Sequence, residues 1–400
     1  MSDKSYERRS KEDIPVLAIC YDFDKTLSPD DMQAQGFIQA VGYKDPKDFW
    51  EKTNLCAEEN DMDQNLSWMY QMMLLSEGIV LFNKETLAKY GSKVKLFPGV
   101  ETWFKRINDF GEANKVKVEH YVISSGLKEM IEGTSIAQQG VFEKIYACSF
   151  YYNERGAAKW PAQVVNYTNK TQFLFRIEKG VLDINDSGVN DYFPPEDVRV
   201  PFRNIVYIGD SDTDIPCMKL VNSFGGHSIG VYNPETGDKK KVYKMMESHR
   251  IKYFTAADYS ENSDLEKLVK NIILKTAENE KLEKRFVDCQ KEVKQAKQQL
   301  YQRLEEKQEQ EIKKTELINS LMTSRSFAMT HTIIKQLNAI EKWNDEQREL
   351  LCKATNNPQV DFVLMDDDVC AFFTKIVSET KANTPYLESV RKTLHVSSDE

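Results

Sequence analysis

The chain has 400 residues, of which 40% are apolar, 11% aromatic and 29% charged, with a formal net charge of -9. That length suffices for two or three domains and a substantial core, while the acidic balance argues against nucleic acid or an anionic membrane as a partner held by bulk electrostatics. No apolar run approaches the roughly 20 residues that span a bilayer, and the polar start MSDKSYERRSKED lacks the apolar centre of a signal peptide. Seven scattered cysteines without a CxxC pair, and five dispersed histidines, read as reduced thiols in a cytoplasmic protein rather than a disulfide frame or a zinc site.

In chain order, the first apolar run is VLAICY, residues 16–21, a strand buried on both faces that runs directly into Asp22-Phe23-Asp24-Lys25-Thr26. Residues 29–95 form a helical insertion with an apolar stripe at Leu66, Met69, Tyr70, Met73 and Leu74. A helix follows from Val100 to Phe110, its face set by Val100, Trp103, Phe104 and Ile107. Tyr121-Val122-Ile123 is a second strand, ending in Ser124-Ser125-Gly126 at the expected start of a helix, and Ile145–Cys148 a third. Lys170 opens a helical pattern in NKTQFLFRI, with Lys179 nine residues later. Residues 180–204 read as an unusually long irregular connection that narrows access to a pocket or forms a partner surface. Ile205–Ile208 is a further strand, leading into Gly209-Asp210-Ser211-Asp212-Thr213-Asp214. Strands alternating with helices predict an α/β fold with a doubly wound, mostly parallel sheet.

The last third differs in composition. From Leu265 to about Leu317 the chain is dense in Glu, Lys and Gln, and Leu282, Phe286, Cys289, Val293, Ala296 and Leu300 alternate at spacings of four and three, a short heptad seam. Residues 271–343 are therefore expected as a long helix able to form a coiled coil, with a second helical pattern from Ile333 to Trp343. Residues 344–383 follow as a small helical module, opened by the capping box of Asn344 and Gln347, broken at Pro358 and restarted at Asp366-Asp367-Asp368. Residues 384–400 read as a flexible tail. This extension is a candidate surface for homo-oligomerisation or a protein partner.

Ligands of a doubly wound sheet bind beyond the carboxyl ends of its strands, and three of the apolar runs end there in chemically capable residues. Asp22, Asp24, Asp210 and Asp214 at one edge repel one another unless a cation lies among them, and hard oxygen ligands beside a phosphate suit Mg²⁺. Such a site also needs an anion acceptor, which Ser124-Ser125-Gly126 and a lysine supply.

The order DFDKT, a strand ending in Ser124, a lysine, then GDSDTD resembles the haloacid dehalogenase-like superfamily, and within it the phosphoserine-phosphatase-like branch, over about residues 14–270. The resemblance implies a core of residues 14–28 and 96–270 and a helical cap of residues 29–95 that closes over the phosphate. It implies Asp22 as the nucleophile that forms an aspartyl-phosphate, Asp24 as general acid/base, Thr26 as support for the loop and Ser124 as the phosphate-binding hydroxyl, flanked by Ser125 and Gly126. Mg²⁺ would be held by Asp22, Asp210 and the backbone carbonyl of Asp24, with Asp214 ligating through water or holding the lysine. Lys170 matches the lysine position better than Lys179. The second carboxylate, Asp24, points to phosphate transfer rather than dehalogenation, and DKTLS in place of the DKTGT of P-type pumps argues against a transport ATPase. The expected function is a Mg²⁺-dependent phosphomonoester hydrolase acting on a small phosphorylated molecule. The alternative is a regulatory or scaffold protein that keeps a phosphatase-like domain as a sensor.

Overall fold

The computed structural model describes residues 6–396. Strands β1 (Val16–Tyr21), β2 (Lys117–Leu127), β3 (Lys144–Tyr152), β4 (Ala158–Gln163), β5 (Ile205–Gly209), β6 (His227–Tyr232) and β7 (Tyr253–Ala256) form one sheet in the order β4-β3-β2-β1-β5-β6-β7. Only β3 and β4 pair antiparallel. All six residues of β1 are buried, as a central strand covered on both faces requires. The chain steps outward from β1 to β2 and β3 on one side, then returns to β5, β6 and β7 on the other. Its order therefore reverses at β1, which places a cleft beyond the end of that strand.

Between β1 and the sheet's first long helix lie α1 (Phe37–Ala40), α2 (Pro46–Glu59), α3 (Gln64–Ser76) and α4 (Lys84–Gly91). Asp45 and Asp63 cap α2 and α3 by accepting hydrogen bonds from the free N–H groups of the first turns. The buried face of α3 is Trp68, Met69, Met72 and Ser76, whereas Tyr70 and Leu74 are exposed. This corrects the expected stripe by about one position around the helix. Phe37, Phe49, Trp68 and Met69 belong to the same apolar cluster as the strands, so the insertion shares the core of the sheet.

Helix α5 (Val100–Ala113) carries the predicted face, with Val100, Trp103, Phe104 and Ile107 buried. It is clipped to the sheet by a buried polar chain. Trp103 Nε1 donates to the Tyr21 hydroxyl at 2.8 Å, Tyr21 in turn faces His120 Nδ1 at 3.0 Å, and His120 Nε2 faces Asn108 Oδ1 at 2.9 Å. The one self-consistent assignment has Tyr21 donating to Nδ1 and a neutral imidazole donating from Nε2. Burial pushes His120 down to about 3. A depressed histidine contributes stability above its unfolded value near 6.5 and loses it as pH falls towards the folded value, at about 1.4 kcal/mol per pH unit. Stability measured by denaturant titration should therefore fall more steeply from pH 6 to pH 4 in the wild type than in His120→Gln; equal slopes would refute this assignment.

Helices α6 (Lys128–Glu132), α7 (Ser135–Gln138), α8 (Thr171–Lys179), α9 (Ile215–Ser223) and α10 (Lys240–Glu247) complete the layers. The connection over residues 180–204 is tied down away from the strand ends that carry the acids. Arg176 donates to the carbonyls of Asp183 and Ile184, Arg8 pairs with Asp186 at 2.7 Å, and Arg199 reaches Glu119 near the opposite end of β2 at 2.6 Å.

The chain divides into two compact units, Met1–Val287 and Asp288–Glu400. The division falls inside α11 (Asp264–Met322), a continuous helix of 59 residues, rather than at 270. Along it Leu282, Phe286, Val293 and Leu300 are 56–70% exposed. The second unit adds α12 (Phe327–Asn338), α13 (Asp345–Lys353), α14 (Pro358–Asp361), α15 (Asp367–Ser378) and α16 (Pro385–Thr393) around its own apolar core. The predicted capping box of Asn344 and Gln347 is formed. Pro358 starts α14 instead of breaking a helix, since its missing N–H costs nothing at a first-turn position. Likewise α12 stops at Asn338, short of Trp343. The expected flexible tail 384–400 is corrected over residues 385–393. There Leu387 and Val390 are buried, and Arg391 donates to the carbonyls of Val377, Thr380 and Ala382. Residues 397–400 of that tail lie outside the described residues.

Candidate active site

The end of β1 delivers Asp22 beside the end of β5, where its backbone N–H donates to the carbonyl of Ile208 at 2.9 Å. The chain then turns sharply. The N–H groups of Thr26, Leu27 and Ser28 converge on the carbonyl of Phe23, and Lys25 adopts the left-handed region at φ 58°, an uncommon conformation for a residue with a side chain. This turn separates the two acids. Asp24 faces the insertion, accepting from the Met32 N–H at 2.9 Å, whereas Asp22 faces β5.

Across from them, GDSDTD forms a capping box. The backbone N–H and the hydroxyl of Ser211 both donate to Asp214 Oδ2, at 3.1 and 3.0 Å. Gly209 is needed there, because a Cβ would lie 2.5 Å from Asp214 Oδ2. The other oxygen of Asp214 accepts from Tyr207 at 2.8 Å and from the ammonium of Lys170 at 2.8 Å. Lys170 also reaches Asp22 at 3.2 Å and is fully buried. Burial works against its charge, but the carboxylates of Asp214 and Asp22 outweigh that and raise its pKa. Lys179 is elsewhere, donating to the carbonyls of Val189 and Asp191 at 2.7 Å.

Carboxylate oxygens of Asp22, Asp210 and Asp214 lie within 4.8 Å of one another. Burial and then the charge of Asp214 push Asp22 up to about 6. Asp210 rises to about 7 through burial, which Lys241 offsets in part and Asp214 and Asp22 reinforce. Asp24 is raised well above the usual carboxylate range, chiefly by burial and by Asp31 and Asp22. Asp214 already has all its contacts filled, so Asp22 and Asp210 are the carboxylates left with an unmet need for positive charge. Their oxygens suit a hard divalent cation such as Mg²⁺. The Asp24 carboxyl stands outside the trio, and its backbone carbonyl takes no part in the turn's hydrogen bonds, which go to Phe23.

Ser124, Ser125 and Gly126 lie within β2 and not at a helix start, which corrects the expected N-terminal site. The ladder explains how they still become available. Ile123 pairs with Tyr146 and Leu127 with Cys148, so β2 advances four residues while β3 advances two. The surplus backbone loops out of the sheet. Ser124 accepts from the Gly126 N–H at 3.0 Å and hydrogen-bonds Asp22, while the buried Ser125 hydroxyl has no partner among the described residues. Gly126 cannot carry a side chain without displacing Asp24, whose Oδ2 would be 2.9 Å from a Cβ. Thr26 is buried; its carbonyl accepts from Tyr259 at 2.9 Å, and its hydroxyl has no partner among the described residues.

Asp22, Asp24, Asp210, Ser211 and the segment Ser124–Gly126 line a cavity of about 270 Å³ that α2 and α3 border on the other side. The structure thus brings together Asp22, Asp24, Ser124, Lys170, Asp210 and Asp214. It adds Tyr207, Gly209, Ser211 and Gln33, which the sequence reading missed. Ser211 was legible from the S-x-x-D box, and Tyr207 as the one hydroxyl in an otherwise apolar strand.

No family model matches the chain. An uncharacterized protein of Borreliella burgdorferi is 25% identical over 275 residues, covering 62% of this chain and 94% of that one. Among solved structures, a phosphoserine phosphohydrolase-like protein from Francisella tularensis is similar at 16% identity, 63% and 98% coverage and a TM-score of 0.36. A probable phosphoserine phosphatase from Vibrio cholerae is similar at 13% identity, 66% and 67% coverage and a TM-score of 0.41. The first unit thus combines a doubly wound sheet with three aspartates gathered at the carboxyl ends of its strands.

Proposed function

We propose that the chain is a divalent-metal-dependent phosphomonoester hydrolase acting through an aspartyl-phosphate. One observation carries this reading: Lys170, buried and charged, bridges Asp22 at 3.2 Å and Asp214 at 2.8 Å. A buried ammonium in that position neutralises the repulsion between a carboxylate nucleophile and a phosphate dianion. Asp22 attacks phosphorus, and the Ser124 hydroxyl donates to a phosphoryl oxygen. Asp24, whose burial favours the protonated form, donates a proton to the leaving oxygen, then takes one from the water that cleaves the acyl-phosphate. Asp22, Asp210 and the carbonyl of Asp24 would hold Mg²⁺, with Asp214 behind them fixing the lysine; the ion supplies charge stabilisation of the transferring oxygens.

The test is hydrolysis of an aryl phosphate by the full chain with Mg²⁺ or with EDTA. Turnover with the metal and its loss with EDTA are expected. Absence of metal-dependent turnover sinks the proposal and leaves the sensor or scaffold reading. All seven cysteines are unpaired and no helix among the described residues is long and apolar enough to cross a membrane; on the thiols we place the protein in the cytoplasm. The exposed heptad face of α11 is proposed as an association surface. Light scattering of the full chain should give a mass above the 46.3 kDa of one copy, and a monomer at all concentrations would dismiss self-association.

A further inference from the structure

The cavity has two unlike walls. On the sheet side stand the acids described above, and the two lysines at that side are already engaged, Lys25 with Asp31 at 2.8 Å and Lys241 with Asp210 at 3.5 Å. The wall from α2 and α3 contains Trp50, Thr53, Asn54, Gln64, Asn65 and Trp68, without an ionisable group. Some of these are committed to holding the wall together. Asn65 donates to the carbonyl of Val165 at 2.8 Å and accepts from Trp68 Nε1 at 3.0 Å, and Thr53 donates to the carbonyl of Trp50. The carboxamides of Asn54 and Gln64 have no hydrogen-bond partner among the described residues. Gln33, at the floor of the same cavity, is only 2% exposed, and its Oε1 is orphaned. A buried amide oxygen without a partner is costly, and Gln33 is one of the residues that line this cavity.

A phospho-amino acid would bring an ammonium and a carboxylate to this wall and find no counter-charge on it. A flat, neutral ring edged with donors and acceptors finds indole faces for stacking and carboxamides that pair donor with acceptor. The volume lies below the roughly 300–1,000 Å³ usual for larger ligands, which suits one nucleoside and not an oligonucleotide. We propose that the ester cleaved here is a nucleoside monophosphate, its base read by Gln33, Asn54 and Gln64 against the indoles of Trp50 and Trp68. This assignment rests on the phosphomonoesterase reading above.

The test measures kcat/KM of the full chain with Mg²⁺ for nucleoside monophosphates of each base, phosphoserine, a hexose 6-phosphate and an aryl phosphate as reference. At least one nucleotide should exceed phosphoserine and the hexose phosphate by about 100-fold. Gln33→Leu should lower the nucleotide-to-aryl-phosphate ratio of kcat/KM about tenfold, the cost of one hydrogen bond to a buried amide. Asn54→Ala, at an exposed helix position, should lower the same ratio with its melting temperature unchanged, which guards against misfolding of the buried variant. Aryl phosphate turnover with phosphoserine or the hexose phosphate preferred, or with the ratio unmoved in both variants, overturns this assignment alone. No turnover of any ester, the aryl phosphate included, overturns the hydrolase reading and this assignment with it.

Discussion

Asp22→Asn is expected to lower kcat for an aryl phosphate by on the order of 10⁴-fold or more, as removal of a nucleophile does in other covalent mechanisms. Its melting temperature in EDTA should be no lower than that of the wild type. The folded protein disfavours the charge on Asp22, which burial and Asp214 raise to about 6. An acid raised on folding costs stability as pH climbs through that range, and the amide removes the cost. Asp24→Asn should be milder, about 10²–10⁴-fold, and mildest for an aryl leaving group that departs without a proton. Equal turnover by Asp22→Asn and the wild type would remove Asp22 from the chemistry, and an equal loss for good and poor leaving groups in Asp24→Asn would deny that residue its proton.

Lys170→Met should give the largest loss of stability among site variants. It leaves Asp22 and Asp214 buried without their cation, a change worth about 3–5 kcal/mol and on the order of 10 °C in melting temperature. In EDTA the deficit should shrink as pH is lowered, because Asp22 without the lysine takes up a proton above its present value of about 6 and the repulsion disappears. A deficit independent of pH would mean that packing, and not charge, is what Lys170 supplies. Lys170→Arg should not restore activity, since the site seats a compact ammonium between two oxygens and has no room for a planar fork.

The sequence was most legible where function is carried by contiguous residues at a strand end. DFDKT and GDSDTD each announce a buried strand and the acids that follow it, and both stand where the reading placed them. Lys170 and Lys179 were harder to separate, because both sit on one helical pattern and only the tertiary partners, Asp22 and Asp214 for one and the carbonyls of Val189 and Asp191 for the other, tell them apart. Gln33 was invisible for the opposite reason: an amide in a short turn of a polar segment becomes informative only once its oxygen is known to be buried and unpartnered. The edge strand β4 escaped notice because Ala-Lys-Trp-Pro-Ala-Gln reads as a turn; a proline survives there because an edge strand can forgo a ladder bond. Similarly, α16 offers only Leu387 and Val390 as a pattern, and its docking is decided by the carbonyls that Arg391 caps.

The position of β1 has a consequence for how the molecule assembles. Its neighbours on the two sides, β2 and β5, begin about 100 and 190 residues later in the chain, and Arg8 waits for Asp186, 178 residues away. Contacts so distant in sequence are slow to form. On the ribosome Asp22 therefore emerges well before Lys170, the group that neutralises it. Until β5 follows, the apolar run VLAICY can pair on one side only, with β2, and a chain interrupted before β5 exposes that open edge to other chains.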